Sequence, residues 1–170
     1  MRVLLADDHQ IVLESLAVLL AQQVDIQIVA KATNGLEALQ LIEQIPVDIV
    51  VTDLNMPLLG GIEFTLQLRE RFPHIKVLLL TMVEKAAQVR EAVQAGVWGY
   101  VLKSASPDEL RKAITEIAAG RRYFSNDIQK QLTSVAKPPV VKDPSPPPTE
   151  GVPNLTNREI EIIRYIIEDL

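Results

Sequence analysis

Five short aliphatic runs punctuate the first hundred residues, and four of them stop at a side chain with chemistry to offer. Residues 2–6 (RVLLA) stop at Asp7-Asp8, residues 47–51 (VDIVV) lead to Asp53, residues 75–80 (IKVLLL) stop at Thr81, and residues 99–102 stop at Lys103. The fifth run is residues 26–31. Runs of this length are too short for buried helices and rich in Val, Ile and Leu, so they read as strands covered on both faces. Between them lie segments of helical period, and this strict alternation predicts βαβ units, a parallel sheet and right-handed crossovers. The expected fold class is α/β, flavodoxin-like, with a five-stranded parallel sheet in the order 2-1-3-4-5 and helices on both faces. In such sheets ligands bind outside the carboxyl ends of the strands, at the switch point between strands 1 and 3. The two most acidic strand ends belong to those two strands.

The connecting segments carry their own signals. Residues 9–23 form a helix with Val12, Leu16, Leu19 and Leu20 on one stripe, while Ile11, Leu13 and Val18 fall outside it. Such a helix is either wedged between the sheet and its neighbours or keeps an apolar surface for a partner. Asn34 caps the next helix with Glu37 closing the box, and Ala38, Leu39, Leu41 and Ile42 form its apolar face. Gly60-Gly61 opens the helix at 62–72, and Pro73 closes it. Residues 84–95 form a helix with a thin stripe of Val89, Ala92 and Val93; few large buried groups mean weak anchoring, so this element is a candidate to move. Ser106-Pro107-Asp108-Glu109 is a strong helix start.

If the sheet is parallel, three carboxylates, one hydroxyl and one amine converge on a single edge. Clustered carboxylates repel unless a hard cation joins them, and Mg2+ takes oxygen ligands while keeping some waters. An ammonium and a hydroxyl suit the oxygens of a phosphoryl group. The set therefore reads as Mg2+-assisted phosphoryl transfer onto a carboxylate, with Asp53 as nucleophile.

Asp7-Asp8, Asp53, Thr81 and Lys103, each ending a strand, with Met56-Pro57 after the central Asp, resemble the receiver domain of bacterial two-component response regulators over residues 1–120. The resemblance implies Asp53 as phosphoacceptor. It implies Mg2+ held by Asp7, Asp8, Asp53 and the backbone carbonyl of Asn55, and contacts from Thr81 and Lys103 to the phosphoryl group. Thr81 and Tyr100 would form the conformational switch. It further implies a sensor histidine kinase as donor, homodimerisation, and no catalysis beyond the protein's own phosphorylation and dephosphorylation. The dimer face would be the 9–23 helix with the 106–119 helix, or the 84–95 helix with its neighbours. Simpler roles stand beside these: Asp7 or Asp8 capping the following helix, Asn55 forming a turn, Thr81 as an ordinary strand residue, Lys103 as a solvated loop lysine, Tyr100 as a half-buried strand tyrosine with a wet hydroxyl. Two residues depart from the family pattern. Ser104 stands where many receivers have Pro, and Met82 is larger than the residue usual after the Thr, which would narrow access to the site.

Composition limits the rest. A net charge of −5 argues against nucleic-acid binding by bulk charge. The absence of cysteine excludes disulfides and thiolate metal sites, and two histidines make a His-rich zinc site improbable. Asp7 and Asp8 interrupt the first apolar run, no run approaches membrane-spanning length, and a soluble cytoplasmic protein is expected.

Past residue 120 the character changes. Residues 121–135 read as a short helical extension with Ser125 as cap. Residues 136–154 hold seven of the eleven prolines and read as a semi-rigid linker. Residues 155–170 begin LTNRE and resemble the first helix of a LuxR-type helix-turn-helix domain, cut short before its recognition helix. Specific DNA binding is then expected only of a full-length domain, not of this truncated chain. Two other functions fit the same residues less well. One is a phosphorylation-independent interaction module. The other is a phosphohydrolase of the haloacid dehalogenase kind, which wants a second acid two residues after its nucleophile, where this chain has Asn55.

Overall fold

The computed structural model describes residues 1–82 and 85–134, all within the first of two compact units, Met1–Pro138. The expected proline-rich linker and LTNRE helix lie outside the described residues. Six strands alternate with six helices: β1 (Arg2–Ala6), α1 (Gln10–Ala21), β2 (Gln27–Ala32), α2 (Gly35–Gln44), β3 (Ile49–Thr52), α3 (Gly61–Arg71), β4 (Lys76–Thr81), α4 (Ala86–Ala95), β5 (Gly99–Leu102), α5 (Pro107–Ala118), β6 (Tyr123–Phe124) and α6 (Asn126–Ser134). All neighbouring strands are parallel, in the order β2-β1-β3-β4-β5-β6. The five-strand order expected from sequence stands. β6 adds a sixth strand at the edge, where two residues are too few to leave a periodic signal.

The strand alternation divides the core into two layers. Leu4, Val50, Val77, Leu79 and Tyr100 face one cluster with α2, α3 and α4. Val3, Leu5, Ile49, Val51, Leu78 and Val101 face the other, with α1 and α5. Each central strand is therefore apolar on both sides, which is why its sequence reads as an unbroken run rather than an alternating one.

Two helix starts behave as their sequences dictate. Asn34 Oδ1 accepts from Glu37 N at 2.9 Å, and Glu37 Oε2 reaches back to Thr33 N at 2.7 Å. Ser106 Oγ accepts from Glu109 N at 3.2 Å. Ser125 differs from the expectation: its carbonyl takes the first turn of α6 through Gln129 N, while its buried Oγ has no partner among the described residues.

Two helices differ in detail. On α1 the inward side centres on Leu13 and Leu20, whereas Ile11 is 82% exposed and Val18 64% exposed. These two lie seven residues apart, on one solvent face, as the partner-surface alternative requires. On α4 the buried residues are Val89, Ala92 and Ala95, with Val93 only half-buried. The thin anchoring inferred from sequence is present with a slightly rotated stripe.

An ion pair ties the start of β1 to the loop before β3. Asp48 accepts from Arg2 N at 2.7 Å and from Arg2 Nη2 at 2.6 Å, and these bonds hold its carboxyl at about 2. Both side chains are partly solvated, so solvent and salt weaken the pair.

Candidate functional site

The sheet ladder itself assembles the site. Ala6 pairs with Thr52, Thr52 with Leu79, and Thr81 with Leu102. The backbone bonding then runs one residue beyond the strands: Asp7 N donates to Ala32 O at 3.1 Å, Asp53 N to Ala6 O at 2.9 Å, and Lys103 N to Thr81 O at 2.8 Å. Three functional residues from distant parts of the chain are thus held by main-chain bonds at one edge.

Their side chains meet. Lys103 Nζ lies 2.5 Å from Asp7 Oδ2 and 3.2 Å from Asp53 Oδ2. Asp7 and Asp53 are buried, and Lys103 keeps only a small exposed fraction. Asp53 Oδ1 accepts from Leu54 N at 2.8 Å, so one carboxylate oxygen is fixed by the backbone and the other faces the ammonium. Burial pushes the Asp53 carboxyl above the usual carboxylate range; Lys103 and the Leu54 amide oppose the rise, and the Asp7 charge adds to it. Two buried carboxylates share one ammonium. Asp8, more exposed, adds a third negative charge.

Asp7, Asp8 and His9 bring one ligand atom each within 4.8 Å of one another. Asp7 and Asp8 offer hard carboxylate oxygens of the kind Mg2+ takes, whereas Asp53, expected as a third ligand, falls outside this group and faces Lys103. The His9 ring is less suited to that ion and is already engaged: Nδ1 lies 2.8 Å from Asp8 Oδ1 and 3.2 Å from Asp7 Oδ1. His9 N also donates to Asp7 Oδ1 at 2.9 Å. Asp7 therefore reaches the residue before α1 without capping the helix, which has no side-chain cap bond, while its other oxygen faces Lys103. Sequence reasoning placed His9 only as a helix start; its position directly after Asp7-Asp8 was the available signal.

Thr81 and Tyr100 are both fully buried. Tyr100 is thus more deeply placed than a half-buried strand tyrosine. Met82 is 75% exposed, with its side chain in solvent rather than filling the site. Asn55 is exposed and lines an open cleft of about 720 Å3 with Asp8, Met56, Leu58 and Glu63.

The loop from β3 to α3 that forms this cleft carries local strain. Leu58 has φ 68 and is 78% exposed. A left-handed backbone costs a residue with a Cβ roughly 1–2 kcal/mol. Gly61 solves a different problem, since its φ is not positive. A Cβ on it would stand 2.3 Å from Asp53 O and 2.9 Å from Leu79 Cδ2. At Gly60 the nearest obstacle, at 2.9 Å, is the flexible end of Glu63. Gly61→Ala is expected to cost about 1–3 kcal/mol in urea unfolding by overpacking against main chain, with Gly60→Ala costing clearly less. Equal losses in the two variants would contradict the close approach of α3 to the Asp53 carbonyl.

Comparison with known proteins agrees with this geometry. The profile for the response regulator receiver domain matches residues 3–115. Response regulator GacA of Pseudomonas aeruginosa is 35% identical over 165 residues, spanning 97% of this chain and 74% of the relative. Response regulator UvrY of Escherichia coli is 31% identical over 165 residues, spanning 96% and 72%. Among solved structures, a two-component response regulator of the LuxR family from Aurantimonas sp. SI85-9A1 superposes with TM-score 0.76 at 39% identity, over 79% of this chain and 96% of that one. The signal receiver domain of the putative response regulator NarL from Mycobacterium tuberculosis follows at TM-score 0.68 and 31% identity, over 71% and 97%. With the receiver profile over two-thirds of its length and LuxR-type regulators among its relatives, the chain belongs to the response regulators of two-component systems.

Proposed function

We propose that Asp53 is the phosphoacceptor of this regulator and that the surrounding residues promote only their own domain's phosphorylation and dephosphorylation. The supporting observation is the buried Asp7–Lys103–Asp53 arrangement, in which a single ammonium faces both carboxylates. An Asp53 oxygen attacks the phosphorus of the donor, the donor's bond to phosphorus breaks, and the acyl phosphate remains on the protein. Asp7, Asp8, Asp53 and the Asn55 carbonyl would hold Mg2+, which offsets the charge on the transferring group. Lys103 turns from Asp53 to an oxygen of the new phosphoryl group, and the Thr81 hydroxyl donates to another. Leu54 N–H keeps the acceptor carboxylate oriented.

Drawing Thr81 toward the phosphoryl group biases α4 and Tyr100 between two arrangements, which alters the surface used for dimerisation and for the helix-turn-helix segment. The donor is a sensor histidine kinase, and Ile11 and Val18 of α1 give it an apolar face. Among the described residues no helix is long and apolar enough to cross a membrane, and the proposed setting is the cytoplasm. DNA is bound only through a full-length helix-turn-helix domain.

The test is intact-protein mass after incubation with acetyl phosphate, in Mg2+ and in EDTA. One phosphoryl adduct is expected in Mg2+, mapped to the peptide containing Asp53, and little in EDTA. A folded protein with no adduct in Mg2+ would point instead to a phosphorylation-independent interaction module.

A further inference from the structure

Ile128 of α6 is 0% exposed and belongs to the same apolar cluster as Val89 and Ala92 of α4 and Tyr100 of β5. The two helices pack against each other. A main-chain bond fixes the base of α6 to the same strand, Ser125 N donating to Tyr100 O at 3.1 Å, and the Gln129 side chain ties α6 to β6, its Nε2 donating to Phe124 O at 2.9 Å. The extension thus rests on the two elements placed in the switch, α4 and Tyr100. Apart from α6, α4 packs on α3 through small side chains and one valine. It buries only Val89, Ala92 and Ala95, and its N-cap residue Lys85 makes no side-chain capping bond. Gln88 Oε1 on α4 and Ser125 Oγ at the base of α6 are buried without a hydrogen-bond partner among the described residues. Such atoms make this packing less favourable than one that lets them reach water.

We propose that α6 is the read-out of α4: docked through Ile128 as described here, and released when Asp53 carries a phosphoryl group. This rests on the phosphoacceptor reading above. Thr81 lies just upstream of α4, so its movement toward the phosphoryl group shifts a helix held by few groups. A displaced Val89 removes the surface on which Ile128 sits, and release exposes the Gln88 and Ser125 oxygens. The chain beyond Ser134 then receives the signal as loss of a fixed α6 rather than through a new contact with the acidic site.

Hydrogen–deuterium exchange on the full chain tests this, with and without Mg2+ plus fluoroberyllate as phosphoryl mimic. In the parent, amides of both α4 and α6 are expected to exchange about tenfold faster with the mimic. In Ile128→Ala, α6 exchanges fast already without the mimic and responds no further, while α4 still responds; Ile128→Val behaves as the parent. Mass analysis with acetyl phosphate runs alongside. An Asp53 adduct with a responding α4 and an unchanged α6 overturns this inference alone. Slow α6 exchange in Ile128→Ala does the same. Absence of both the adduct and any α4 response overturns it together with the phosphoacceptor reading.

Discussion

Asp53→Asn is expected to remove the phosphoryl adduct completely while leaving the fold intact. Asparagine preserves the shape of the side chain and the Oδ1 that accepts from Leu54 N at 2.8 Å. It lacks the anionic nucleophile, so neither acetyl phosphate nor a kinase can form an acyl phosphate at this position. The substitution should also change stability in a definite direction in Mg2+-free buffer. Burial raises the Asp53 carboxyl above its value in the unfolded chain. The folded state therefore binds more protons than the unfolded state above about pH 4, and parent stability declines as pH rises toward the raised value. The asparagine variant escapes that decline. It should match the parent near pH 4 and exceed it at neutral pH, as read by urea unfolding in EDTA. A variant that keeps a single adduct at the same peptide would show that Asp53 is not the acceptor, and one less stable than the parent at neutral pH would show that it is not a desolvated carboxylate.

Lys103→Ala carries the second large effect. The ammonium lies 2.5 Å from Asp7 and 3.2 Å from Asp53, and without it two buried carboxylates face each other. Breaking a buried ion pair from one side costs about 3–5 kcal/mol when the remaining charge stays ionised. The site can limit that loss by holding a proton on one carboxyl, whose folded value then rises further. The sign follows: stability present below the unfolded carboxyl value is lost as pH increases through the raised one, so the deficit is small near pH 4 and greatest at neutral pH. Mg2+ should recover stability more strongly in the variant than in the parent, because a cation binding only the folded state stabilises it by mass action. Unfolding curves at several pH values, with and without Mg2+, separate these effects. A loss that is the same at every pH and indifferent to Mg2+ would mean that Lys103 serves packing rather than charge.

Much of this was legible in the chain. Strands covered on both faces must be apolar throughout, so β1, β3, β4 and β5 announce themselves as runs, and the polar residue at which each run stops marks the sheet edge. Asn34 and Ser106 cap their helices as written because capping depends on neighbouring residues alone. Ser125 stands likewise in front of a helix, yet its Oγ is buried without a partner among the described residues. There the packing of α6 against α4 and β5 outweighs the local preference. The inward side of α1 was placed slightly wrong for a similar reason: Leu13 and Val12 are equally apolar, and only the sheet's position decides that Leu13 is the more buried.

By itself the sequence determined the α/β alternation and the identity of the five polar groups at the strand ends, because these follow from hydrophobic period and residue chemistry; the strand order was expected only by analogy with other doubly wound sheets. The tertiary structure alone decided that Lys103 stands between Asp7 and Asp53 and that Gly61 must lack a Cβ beneath the Asp53 carbonyl. It also decided that β6 and Ile128 bring the extension onto α4 and Tyr100. Each of these is a distance between residues far apart in the chain. Such distances arise when strands pair and helices close over them, and no local pattern encodes them.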